Sequence, residues 1–106
     1  MATPRDSSKR LRTAVRRLTG ESPRKATHGE LFCVEVASAD GRPHAVTVQV
    51  DTHRKVPSKA VFNDLADRLR VPRRQIDEIL DGWSPEQLRK HLSSLTHEQL
   101  RSRTPL

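Results

Sequence analysis

Two runs of alternating apolar and polar side chains, over residues 31–50, limit the fold more than any other stretch. In LFCVEVASADGRPHAVTVQV, Phe32, Val34 and Val36 fall on one face, and Leu31 and Cys33 on the other. On the return run Val46, Val48 and Val50 oppose Ala45, Thr47 and Gln49. A period of two built on β-branched residues specifies strands with one buried face. Asp40-Gly41 between the runs supplies the positive φ that a tight hairpin turn requires. Such a hairpin sends the chain before residue 31 and after residue 50 to the end away from the turn. His28 and His53 are therefore predicted near the two outer ends of the pair. A short strand over 24–28, with Gly29 as its turn, would add a third antiparallel strand.

Helical periodicity surrounds this unit. Ser7 or Ser8 can cap a helix over SKRLRTAVRRLTG, with Leu11, Ala14, Val15 and Leu18 as its apolar stripe and Gly20 as its stop. Its other face carries Lys9, Arg10, Arg12, Arg16 and Arg17 with no acid among them. Ser58 begins a second helix, with Val61 or Phe62, Leu65, Ala66 and Leu69 inward. A third starts at Pro72, turns Ile76, Ile79 and Leu80 inward and stops at Gly82. Two capping-box sequences, Ser84-Pro85-Glu86-Gln87 and Thr96-His97-Glu98-Gln99, announce two short helices beyond it. Trp83 is expected to pack this tail on the body, and His91 and His97 to lie on helix surfaces.

The expected fold class is thus α+β, a small three-stranded antiparallel sheet covered on one face by helices in α-β-β-β-α order. Residues 1–6 form a disordered lead, 7–81 the domain, and 82–106 a helical extension with a frayed end. The other sheet face stays open for a ligand.

A net charge of +7, mostly from arginine, makes a polyanion the expected partner, and nucleic acid is the usual one. No Tyr and two Phe argue against holding single strands by base stacking. Structured RNA, read through shape and phosphate contact, fits better. One cysteine, Cys33, excludes an intrachain disulfide and reads as a small buried hydrophobe. His28, His44, His53, His91 and His97 lack metal-ligand spacing, so no metal and no cofactor is expected. No apolar run is long enough for a membrane span and no secretion signal opens the chain, which makes the cytoplasm the expected location.

The order of elements, with particular residues, resembles the HicA family of bacterial toxins, small proteins that cleave messenger RNA. The resemblance covers roughly residues 8–80. It rests on the helix Lys9 to Leu18 with Gly20, on Ala26-Thr27-His28 opening a strand, and on the Asp40-Gly41-Arg42 turn. It continues through Val46 to Val50, His53, and Val56-Pro57-Ser58 leading into a helix. The resemblance implies a fold like the double-stranded RNA-binding domain, endoribonuclease activity with His28 as the catalytic residue, and His53 as a second recurring histidine. It also implies an antitoxin partner of the HicB kind. The chain departs from the family at Ala26, where a glycine is usual, at Arg70, where a glycine separates the last helices, and throughout the tail after Gly82.

The residues support such chemistry without the name. An imidazole exchanges protons near neutral pH, and the 2′-hydroxyl of RNA is a built-in nucleophile beside the phosphate. A base, an acid for the leaving oxygen and cations around the charged transition state are then sufficient. His28 and His53 supply the former, while Lys9, Arg10, Arg12, Arg16, Arg17, Arg24, Lys25, Arg54 and Lys55 supply the cations. An alternative reading places a helix-turn-helix at residues 62–80, with Arg73, Arg74 and Gln75 reading DNA bases. A third is a non-catalytic RNA-binding module on the same fold.

Overall fold

The computed structural model describes residues 3–27, 29–51 and 53–106. Helix α1 (Ser8–Thr19) is followed by β1 (Arg24–Ala26), β2 (Gly29–Ala37) and β3 (Pro43–Val50). Then come α2 (Lys59–Leu69), a 3₁₀ turn (Arg73–Gln75), α3 (Ile76–Gly82), α4 (Pro85–Ser93) and α5 (His97–Arg101). The three strands form one antiparallel sheet in the order β1-β2-β3, so the fold is α+β with the expected core order.

The register carries the alternation directly into layers. Phe32 pairs with Val48, and Val34 with Val46; all four are buried beneath the helices. Leu31 opposite Gln49 and Cys33 opposite Thr47 lie on the other face. Cys33 is half-buried there, short of the full burial expected. Leu11, Val15 and Leu18 from α1, Phe62, Leu65 and Leu69 from α2, and Ile76, Ile79 and Leu80 complete the core. Each large side chain so buried contributes about 1.5–3 kcal/mol relative to exposure.

The hairpin closes with Ser38 and Arg42 paired through their backbones, leaving a three-residue loop in which Gly41 takes the expected positive φ, at 79°. Two local details differ from expectation. Gly29 is the first residue of β2, opposite Ala26, rather than the turn. Residues 3–6, expected as a loose lead, form a turn in which Arg5 pairs with Asp77 at 2.8 Å and lies 4.1 Å over the Phe62 ring.

The tail is part of the core. Leu88, Leu92 and Leu100 are as buried as the residues of α1 and α2. Both capping boxes form, Ser84 with Gln87 and Thr96 with Gln99, so these short helices start where the sequence directs. Trp83 packs against the core and meets His91 edge to face. His91 is not the surface residue expected: its Nε2–H points at the Leu69 and Arg70 carbonyls, 3.1 and 3.0 Å away, and so closes the end of α2. Arg70 stands where a glycine would be easiest, at φ 56°. Its side chain explains the choice, donating to the carbonyls of Ser102 and Thr104 at 3.1 and 2.9 Å and tying down the segment expected to fray.

Candidate nucleic-acid interface

The candidate site is the end of the sheet away from the hairpin loop, where three segments converge. Helix α1 lies across the sheet with its N-terminal half at this end, fixed by two contacts. The Ser8 N–H donates to the Lys55 carbonyl at 2.9 Å, and Arg12 Nε lies 2.8 Å from Glu30 Oε2 in an ion pair. Glu30 in turn sits opposite Lys25 on β1 and Val50 on β3. The β1–β2 connection is pressed onto the end of β3. A Cβ added at Gly29, whose φ is 113°, would lie 2.0 Å from the Val50 carbonyl oxygen. Glycine is therefore required here to bring the start of β2 against Val50 and Asp51 at the end of β3.

His28, the predicted catalytic residue, lies outside the described residues. Its described neighbours on either side, Thr27 and Gly29, belong to this connection. His53 is exposed on the adjoining loop, where its backbone N–H donates to Asp51 Oδ1 at 2.8 Å. Gly29 and the loop bearing His53 thus meet the same end of β3.

The predicted cations divide into groups. Lys9, Arg12, Arg54 and Lys55 line one cleft of about 410 Å³ together with Ser7 and Ser8. Lys25 is exposed on β1 nearby, and Arg24 projects toward the open sheet face in the row of Leu31 and Gln49. Arg10 and Arg17 instead share a separate cleft with Lys9, Leu80 and Asp81. There the Arg17 guanidinium donates to the Leu80 carbonyl, so its first task is to hold α3. Arg16 is exposed near the C-terminal end of α1.

The alternative DNA-reading trio is arranged differently. Arg73, Arg74 and Gln75 form a 3₁₀ turn ahead of the seven-residue α3. Arg73 makes two bonds to the Asp67 carboxylate, at 3.1 and 2.8 Å. That pairing holds Asp67 below the usual carboxylate range. Arg74 and Gln75 are exposed.

Sequence reasoning missed a second polar cluster at the opposite sheet end. The Asp40 carboxylate accepts from the Ser38 hydroxyl and from the His97 N–H, the latter at 2.9 Å. His97 packs edge to face on His44, 5.3 Å between ring centres, so it too is more than a surface residue. No local pattern signals this pairing, because Asp40 and His97 are more than fifty residues apart and the donor is a backbone N–H. Among the described residues no three His, Cys, Asp or Glu side chains converge as metal ligands. No helix among them is long and apolar enough to cross a membrane. No family model, no curated protein and no solved structure matched this chain in comparison with known proteins.

Proposed function

We propose that this chain is a cytoplasmic RNA-binding protein that cuts messenger RNA without a metal, acting as a toxin of the HicA kind. The observation that carries this reading is the convergence at one sheet end. Four cations from α1 and the 54–55 segment, the Gly29 start of β2, and the loop of His53 all collect there. A duplex or folded RNA lying across α1 would meet cations first, with the His53 loop beside its backbone and His28 as the proposed acid or base. A general base or acid placed there contributes about a hundred- to ten-thousand-fold in rate. A partner of the HicB kind would then silence the protein by covering this cationic end.

The reading with residues 73–75 on DNA has less support, since Arg73 is engaged by Asp67 and the helix behind the trio spans only two turns. The test is induced expression of wild type and His28→Ala in bacteria, with growth and RNA integrity followed together. Growth arrest and RNA fragments from wild type alone support the reading. RNA binding by both forms without fragments makes the chain a non-catalytic binding module. Loss of a sequence-specific DNA complex on Arg73→Ala, with His28→Ala silent, would move the function to the helix pair.

A further inference from the structure

The cleft at the start of α1 is built to hold an anion, and its features differ from those of the molecule's other cationic hollows. All six residues lining it, Ser7, Ser8, Lys9, Arg12, Arg54 and Lys55, are donors or cations, with no carboxylate in the lining. The neighbouring hollow includes Asp81, and the one at the hairpin loop includes Asp40 and Glu98, so both carry acids that would repel an anion.

Two further observations point to a ligand. Ser8, one of the lining residues, is only 4% exposed, and its hydroxyl has no hydrogen-bond partner among the described residues. A buried hydroxyl without a partner is unfavourable, and natural structures keep few of them without a reason. The backbone at this helix start is also left one donor short of saturation. The Ser8 amide is taken by the Lys55 carbonyl and the Arg10 amide by the Ser7 hydroxyl, while the Lys9 amide has no partner among the described residues. The charges compound the effect. The first turn of α1 carries no acid and two cations, Lys9 and Arg10, although the helix dipole already makes this end positive. That arrangement opposes folding and favours a bound anion. Glu30 offsets one of the four lining cations through Arg12 from outside the cleft.

We propose that this cleft binds a single backbone phosphate of RNA, with the Ser8 hydroxyl and the Lys9 amide donating to its oxygens and Lys9, Arg12, Arg54 and Lys55 balancing its charge. The identity of the phosphate as RNA rests on the function proposed above; the anion site itself does not. A phosphate anchored here lies beside the Arg12–Glu30 ion pair that ties α1 to β2, and so fixes the strand relative to this end of the sheet.

The test has two arms on the full chain. In the first, inorganic phosphate is titrated while the Ser8 and Lys9 amide resonances are followed, at constant ionic strength. Saturable shifts, weakened at least about fivefold by Ser8→Ala with no loss of thermal stability, support the site. Shifts that never saturate, or saturate identically in Ser8→Ala and Lys55→Gln, overturn it. In the second arm, a short structured RNA is bound over a range of salt. The logarithmic salt slope should shrink by about one in Lys55→Gln, as for one lost phosphate contact. An unchanged slope overturns the assignment even where RNA binds. Saturable phosphate binding without any RNA binding would refute the RNA source and the function proposed above together, leaving a site for a free phosphate compound.

Discussion

The two ends of the sheet use the same kinds of side chain in opposite ways. At the hairpin end, polar groups are consumed by structure. Asp40 receives Ser38 and the start of α5, the Ala39 N–H donates to the Leu95 carbonyl at 2.8 Å, and His44 and His97 stack edge to face. At the other end the Ser8 hydroxyl is unpartnered among the described residues, and cations gather around a helix start that already repels them. The hairpin end is a closed joint that spends its polar groups on holding the tail, whereas the other, open end keeps donors that are unpartnered among the described residues. Charge alone does not separate them, because Arg42 and Arg101 line the hollow at the closed end as well.

The sharpest way to break this comparison is to remove the clasp. Leu92 in α4 is fully buried, and Leu92→Ala should cost about 2–5 kcal/mol in chemical denaturation, as for other cavity-forming core substitutions. A loss below about 1 kcal/mol would mean the tail is an appendage and the closed end is no joint. At the open end, Gly29→Ala should cost about 1–3 kcal/mol, because its Cβ would strike the Val50 carbonyl and its φ of 113° suits glycine alone. It should also weaken RNA binding more than its stability loss explains, since it pushes the β1–β2 connection off β3. Unchanged stability would show that the two segments are not pressed together.

A third variant pair separates backbone strain from tail anchoring at Arg70. Arg70→Ala loses the bonds to Ser102 and Thr104 and keeps the left-handed strain; Arg70→Gly loses the bonds and relieves the strain. The glycine variant should therefore be the more stable of the two by about 1 kcal/mol in urea titration. Equal stability of the two would mean that residue 70 carries no strain.

What could be read from the chain follows from the range of each interaction. The strands were legible because Phe32, Val34, Val46 and Val48 repeat at the period of the structure they form, and the capping boxes because Ser84 and Thr96 act within three residues. The cations of α1 were legible as a face, but not as two separate clefts, since that division depends on Lys55 and Leu80 approaching from far along the chain. Arg70 read as a missing glycine because its compensation comes from carbonyls more than thirty residues later. His91 and His97 looked like surface residues for the same reason: each acts on a segment that only the tertiary fold brings near. Ser8 gave no signal beyond a possible cap. Its importance lies in an unpartnered hydroxyl, which no sequence pattern reports.

The smallest effect concerns pH and bears on the closed end alone. Partial burial, then the nearby His97, Arg103 and Arg101, hold the His44 imidazole below its ordinary value. The unfolded chain protonates His44 near its usual pKa of about 6.5. The folded chain takes up that proton only at lower pH. Below pH ~6.5 the unfolded state therefore binds more protons, and stability falls as the pH drops through the folded value. Asp40, held low by the Ser38 hydroxyl and the His97 N–H, adds a second decline only in more acidic solution, below the ordinary carboxylate range. Urea midpoints between pH 8 and pH 3 should show both steps. His44→Gln should remove the upper one and leave the lower, whereas Asp40→Asn should leave the upper and shrink the lower, to which Asp67, held low by Arg73, also contributes. An upper step that persists in His44→Gln would place the titration at another histidine and take the His44–His97 contact out of the joint.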